Sequence, residues 1–192
     1  NFIFKDLINR KIALDELKSA IDEIAILYDK KGYLGFGSLP SQEIEQENLK
    51  ILIIEGLFGG VKFDEKNLND LNVDPTIIKK IIENINPIGK PLNVKKLDES
   101  ILISGDLSGI LVNQSLRPGE KSGETDTYVR IVNQPRYFIV ASVDNYGSNT
   151  TGFDRKILNG SFLSPAKIGD RVDGNYLASD GTDYGSLSYN IP

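Results

Sequence analysis

Few groups in this 192-residue chain have types and spacings that could do chemistry. Asp15 and Glu16, and Asp22 and Glu23, are carboxylate pairs of the kind that serves as general acid and base. "GFG" at 35–37 and "GLFGG" at 56–60 are glycine-rich enough to approach a phosphate. "SDGTDYG" at 179–185 sets Asp180 and Asp183 among glycines, as a calcium loop does. Each has a simpler reading. The carboxylates fall on the solvent side of an amphipathic helix. Neither glycine stretch has the Lys-Ser/Thr of a phosphate loop, so turns or bulges are expected. "SDGTDYG" lacks the full acidic spacing and terminal Glu of a calcium loop and is expected as a hairpin turn. The chain has no His and no Cys, which excludes imidazole acid–base work, thiol nucleophiles and Cys/His zinc. The sequons at Asn113, Asn149 and Asn159 carry weight only on a eukaryotic secretory route. Neither an enzyme, a cofactor nor a metal is expected.

Bulk properties narrow the partners. The formal net charge of -5 argues against a nucleic-acid binder, which needs a basic face to neutralise phosphates. Apolar content of 40% and charged content of 26% are those of a folded chain. No apolar run reaches the about 18 residues of a membrane helix. Absence of Cys suits a protein crossing an oxidising periplasm. A chain that starts at Asn1, holds no Met and ends on the strand-like "YNIP" is expected to be a fragment of a longer one.

The elements recur in order. In "IALDELKSAIDEIAILYDKKGY", Leu14, Leu17, Ile21, Ile24 and Leu27 recur at spacings of three and four, one stripe of a helix. Lys30, Lys31 and Gly32 supply its stop. "GYLGFGSLP" is a short strand, and "LKILIIEG" an apolar run expected to be buried on both faces. "GGVKFDE" is one more strand candidate, joining this unit to the next. Asp74 and Pro75 then open a helix whose face is Ile77, Ile78, Ile81, Ile82 and Ile85. "NVKKLDESILISG" is a second helix, with Val94, Leu97 and Ile101 inward. "GILVNQSLRPG" and "TDTYVRIVNQ" are strands around a turn at Pro118 and Gly119. "LDEL" at Leu14 and "LDES" at Leu97 sit at matching places. Each unit therefore reads helix, helix, strand, strand, and two small α+β modules in tandem are expected.

From about residue 137 helical periodicity ends. "RYFIVASVDNYGSNTTGFDRKILNGSFLS" at 136–164 reads strand, turn, strand. In "DRVDGNYLASD", Val172, Gly174, Tyr176 and Ala178 share one face. Arg171, Asp173, Asn175 and Ser179 share the other, with Leu177 the exception. In "YGSLSYNIP", Leu187, Tyr189 and Ile191 oppose Ser186, Ser188 and Asn190. "GFDRKILNGSFLS" alternates poorly. Alternation with a polar face suits both a membrane barrel and a soluble sheet with one wet face; taken alone, it favours the soluble sheet.

Three motifs in order resemble the outer-membrane transporters of two-partner secretion, the hemolysin secretion/activation proteins. "YDKKGYLGFGSLPSQEI…LKILIIEG" is similar to the end of their first POTRA domain, through Tyr28, Gly32, Tyr33, Leu39, Pro40, Gln42, Glu55 and Gly56. "LRPGEKSGETDTYVRIV" is similar to the closing hairpin of their second. "SVDNYGSNTTGFDR…GDRVDGNYLASDGTDYGSLSYNIP" is similar to their first barrel strands, through Asp144, Asn145, Gly147, Gly152, Gly169, Asp170, Tyr189 and Pro192. Glu47 and Asn48 stand where the family usually has Gly. The resemblance covers essentially the whole chain.

It implies two POTRA modules at 1–63 and 64–136, then at 137–192 the opening strands of an outer-membrane β-barrel. Residues 1–136 would lie in the periplasm of a Gram-negative cell. The implied partners are outer-membrane lipid and an unfolded secreted exoprotein, whose N-terminal secretion domain is recognised before export through the pore. In such a module the second strand lies at a sheet edge, where a guest can add a strand. The edges implied are Tyr33 to Ser38 and Leu111 to Leu116. Tyr33, Leu34, Phe36, Ser38, Leu111, Asn113 and Ser115 are the candidate substrate-binding residues, with Phe36 and Leu111 equally readable as core. The unclosed strand edges of the fragment are expected to pair with another copy. An assembly factor of the same superfamily and a soluble adhesive module with a closed C-terminal sheet remain the alternatives.

Overall fold

The computed structural model describes residues 4–8, 11–40, 49–64 and 68–192. Gln42, Glu47 and Asn48 of the first motif lie outside the described residues. The architecture is α+β, with three α-helices and nine strands among the described residues. No described helix is long and apolar enough to cross a membrane.

Contacts divide the chain into two compact units that interleave in sequence: 1–62 with 82–100 and 114–128, and 63–81 with 101–113 and 129–192. In the first unit, α1 (Leu14–Lys30) buries Leu17, Ala20, Ile21 and Ile24. The two ends of its predicted stripe, Leu14 and Leu27, are exposed. Beneath it, β1 (Gly35–Ser38) pairs antiparallel with β2 (Leu52–Glu55). "GFG" is thus strand and not turn. Its glycines serve close approach: a Cβ at Gly37 would sit 2.7 Å from Ile21 Cγ2, and one at Gly35 would enter the Tyr28 ring. "LKILIIEG" is not buried on both faces, since Leu52 and Ile53 are 53% and 51% exposed. Among the described residues β1 is the only strand beside β2, so nothing covers its far side.

β3 (Leu57–Phe63) joins β4 (Ile110–Pro118) and β5 (Glu124–Asn133) in a sheet of order β3-β5-β4. The strand "GGVKFDE" therefore goes with the residues downstream. Leu57 donates to Gly123 O and Asp64 to Val129 O, so β3 runs parallel to β5 with one extra residue between these bonds. Gly60, at φ +135, supplies the left-handed backbone for that bulge. α2 (Pro75–Ile85) and α3 (Val94–Gly105) cover the sheet with Ile78, Ile82 and Leu97, all fully buried. β6 (Tyr137–Asp144), β7 (Arg155–Leu163), β8 (Arg171–Ser179) and β9 (Thr182–Asn190) form an antiparallel meander in chain order. "SDGTDYG" supplies the tight turn between β8 and β9, where Ser179 pairs with Thr182.

Asp74 caps α2: its Oδ1 accepts from the Thr76 amide at 2.9 Å. Hydrogen bonds from Thr76 hold its carboxyl below the ordinary value of 3.8. A lowered folded value means stability that is present above the unfolded pKa and lost as pH falls through the folded one. Asp74→Ala is expected to cost about 1 kcal/mol near neutral pH. The gap between parent and variant should close below pH 3.8. Denaturant unfolding of both proteins on either side of that pH checks this.

Candidate functional site

The edge of β4 opposite β5 has no neighbouring strand among the described residues. Its register follows from two bonds: Gly119 donates to Glu124 O, and Gln134 to Gly109 O. Odd-numbered residues of β4 therefore bond to β5. The main-chain groups of Val112, Gln114 and Leu116 alternate out to the edge. Side chains alternate as well. Leu111, Asn113 and Ser115 are exposed on the face away from the helices, while Gln114 reaches Asp98 Oδ1 of α3 at 2.7 Å. The predicted residues thus supply side chains beside the edge, and their even-numbered neighbours supply its hydrogen bonds. The position of the closing turn at Gly119 was the signal for that offset.

Phe36 on β1 is 52% exposed and Leu111 on β4 is 51% exposed, so neither is core. An open groove of about 580 Å³ is lined by Leu34, Phe36, Ile54, Leu116, Pro118 and Thr125. It brings Phe36 to the C-terminal end of the β4 edge. Ser38 is half-buried and pairs with Leu52. Tyr33 and Leu34 do something else. Tyr33 bridges to Asn93. The Leu34 amide donates to Leu92 O at 3.4 Å, and its carbonyl accepts from Gly56 at 3.0 Å. Leu92 donates to Gly56 O and Val94 to Gly32 O. The backbone of Leu34 is thus already spent on Leu92 and Gly56, and a strand added there would meet only the outward groups of Gly35 and Gly37.

The first motif builds this joint. Gly32, at φ +80, ends α1 and turns the chain toward Asn93 and Lys95. Tyr28 donates to Glu55 Oε1 at 2.6 Å, which raises the tyrosine's pKa.

In the β6–β9 sheet, strand register sorts the side chains. Tyr137, Ile139, Ala141 and Val143 face the same way as Phe162, Gly160, Leu158 and Lys156. Val172, Gly174, Tyr176 and Ala178 continue that face, then Tyr189, Leu187, Gly185 and Asp183. Lys156 and Asp183 are its only ionisable groups besides tyrosine, and they share one end row. The opposite face is mostly polar, with Phe138, Val140, Ile157, Leu163, Leu177 and Tyr184 as its exceptions. Arg155 grips Asp144 with both oxygens, at 2.7 and 3.0 Å. Asp173 accepts from Ser161 at 2.6 Å and from Arg171 at 2.7 Å. Asn175 donates to Ser186. A cleft of about 340 Å³, lined in part by Asp106, Ser108, Arg171 and Asp173, opens at the end of this face. The carboxylate pairs of α1 are exposed. Among the described residues no cluster of three or more His, Cys, Asp or Glu could hold a metal.

No protein-family model matches the chain. Heme/hemopexin transporter protein HuxB of Haemophilus influenzae (strain 86-028NP) is 25% identical over 179 residues, 93% of this chain and 31% of that protein. Outer membrane transporter CdiB-2 of Burkholderia pseudomallei (strain 1026b) is 26% identical over 123 residues, 64% of this chain and 20% of that protein. The chain therefore spans less than a third of these relatives. Among solved structures, CdiB from Escherichia coli superposes on 100% of this chain and 36% of its own, at TM-score 0.78 and 19% identity. POTRA1-3 of the periplasmic domain of Omp85 from Anabaena matches 70% of this chain and 56% of its own, at TM-score 0.55 and 22% identity.

The chain shares its fold with CdiB and with the POTRA domains of Omp85. The homologues are two-partner secretion transporters, of the HuxB and CdiB kind, and not enzymes, so the resemblance carried by the three motifs holds. These relatives indicate an outer-membrane location with periplasmic POTRA domains.

Gly32→Val is expected to open the joint at residues 91–94. A left-handed residue with a Cβ costs ~1–2 kcal/mol, and that Cβ would meet Lys95 Cγ at 2.9 Å. Hydrogen exchange should show faster exchange at the Val94 amide, with the β5 amides unchanged.

Proposed function

We propose that this chain is the capture-and-entry part of a two-partner secretion transporter. Two POTRA modules lead into the first four strands, within 137–192, of a transmembrane β-barrel. In this reading β3 goes with the second module, because it lies beside β5 in the sheet β3-β5-β4. The sorting of side chains across the β6–β9 register carries this reading. An apolar face with its charges confined to one end suits lipid, and a face on which Asp, Arg, Asn, Ser and Thr outnumber the apolar residues suits a water-filled lumen. The outer edges of β6 and β9 would be closed by further strands, because lipid tolerates no open edge.

Capture is assigned to β4. An unfolded exoprotein segment would add a strand to the groups of Val112, Gln114 and Leu116. Alternate guest side chains would lie beside Leu111, Asn113 and Ser115. At the end of the edge an apolar guest side chain would enter the groove by Phe36. Leu34 would line that groove, and Tyr33 and Ser38, engaged with Asn93 and Leu52, would not pair with the guest. Folding of the exported chain outside the cell would give the passage its direction.

The test is a secretion comparison with the full-length protein in its host. Deletion of the gene is expected to remove one large exoprotein from the medium and to leave the other outer-membrane proteins unchanged. Depletion of many barrel proteins together would instead support an assembly factor. No change in either profile would favour a soluble module. Complementation with Leu116→Pro isolates main-chain pairing. It deletes one outward N–H and leaves the β4–β5 ladder intact. It should lower binding of the partner's secretion domain well beyond Leu116→Ala; equal effects would exclude strand addition at this edge.

A further inference from the structure

Gly169, Asp170 and Tyr189 belong to the third motif, and neither capture nor the sorting of faces uses them. The structure brings them together. Residues 164–170 connect β7 to β8. Three of them lie in the left-handed region: Ser164 at φ 51, Lys167 at φ 61 and Gly169 at φ 84. For two residues with a Cβ this conformation is costly, and it persists where the surroundings over-determine it.

Those surroundings are explicit. The Asp170 side chain is fully buried. Its oxygens accept from the Ala166 amide at 3.1 and 3.2 Å. Tyr189 on β9 donates its O–H to Asp170 Oδ2 at 2.8 Å. Ser164 donates to Asp170 O at 2.6 Å, and the Gly169 amide donates to Ser164 Oγ at 3.0 Å. The turn so fixed presents two carbonyls to the second module. Asp74, at the start of α2, donates to Lys167 O at 2.9 Å, and Ser108, just after α3, donates to Gly169 O at 3.1 Å. A Cβ at Gly169 would meet Leu107 Cδ2 at 2.7 Å, and one at Gly109 would lie 3.3 Å from Ser164 Cβ and 3.4 Å from Leu163 Cβ. The Asn72 amide group ties the covalent connection, donating to Gly109 O and Gln134 O.

We propose that residues 164–170 form a rigid joint between the second module and the β6–β9 sheet, with Asp170 and Tyr189 as its positioning residues. The connection at 134–136 is then no hinge. The end of the module that carries Asp74, Leu107 and Ser108 moves with the sheet as one body. Its consequence for export rests on the capture reading: a segment taken up by the module would meet the polar row at Arg171 and Asp173 at a fixed offset. The joint itself does not rest on that reading.

This chain has no Cys, so two labels placed in it report the joint once any cysteine elsewhere in the full-length protein is replaced by Ser. In the full-length protein in lipid vesicles, spin labels at Leu102→Cys on α3 and Leu187→Cys on β9 are both well exposed, at 72% and 80%. Pulsed distance measurement should give one narrow distribution. Tyr189→Phe, which removes a single O–H, should broaden it, while amide protection within β6–β9 stays unchanged. Gly169→Ala should speed exchange at the Ser108 amide roughly tenfold, the scale of the left-handed penalty. A broad distribution in the parent, or one that Tyr189→Phe leaves unchanged, overturns the joint. A narrow distribution that Tyr189→Phe broadens, in a protein whose binding is indifferent to Leu116→Pro, upholds the joint and removes the capture reading.

Discussion

The pairing of β7 with β8 is the constraint on which the sheet depends. A strand has a side-chain period of two, so a slip of one residue would exchange its faces. If β8 slipped, Val172 and Tyr176 would turn to the mostly polar side, and Arg171, Asp173 and Asn175 to the apolar one. Register is therefore fixed by more than hydrophobicity. The buried Asp170 carboxylate locks the β7–β8 connection from within. Two residues between Ser179 and Thr182 leave β8 and β9 no slack. The Arg155 fork on Asp144 ties β6 to β7 across a single rung. The Arg–Asp pairs of the sheet lie on the mostly polar face, while on the apolar face Tyr176 donates to Asp183 Oδ1.

How much of this was legible in the sequence depends on whether the signal is local. The stripe of Ile78 and Ile82, the cap at Asp74 and the alternation of β8 are written in neighbouring residues, and the structure keeps them. "LKILIIEG" misled because an unbroken apolar run reports composition, and burial needs a neighbour on each side. "GFG" misled because glycine serves two purposes. It permits turns, and it also lets a helix lie against a strand, as α1 does over Gly35 and Gly37. β7 hid its alternation because Lys156 sits on the apolar face and Ile157 on the polar one. The motif residues were visible as a set, but their roles were not. Tyr28 meets Glu55, and Asp170 meets Tyr189, across intervals that no pattern of propensity spans.

Edges separate the parts of the chain by purpose. Proteins usually blunt an open strand edge with Pro, Lys or a bulge. From Ile110 to Leu116 β4 carries none of these, and its polar residues are the uncharged Asn113, Gln114 and Ser115. β6 is uncharged until Asp144, and β9 is uncharged after Asp183. Unblunted edges are tolerable where a partner is supplied. For β6 and β9 further strands of the same wall would supply it. For β4 no strand of the described chain does, and a guest in extended conformation is the partner that its chemistry fits.

The sheet also has a direction along its strands. Tyr137, Phe162, Val172 and Tyr189 share one row of the apolar face, at the end where the chain enters from the second module. Lys156 and Asp183 share the row at the other end, next to the connections at 145–154 and 180–181. Aromatic rings favour the boundary between lipid and headgroups, and a lysine stem can lift its charge out of hydrocarbon. In a membrane wall the two rows would mark its two boundaries. The aromatic row would then face the periplasm, where the joint at Asp170 holds the module, and the charged row would face outside. On the proposed capture reading, a segment bound to β4 would then enter the lumen from the periplasmic side.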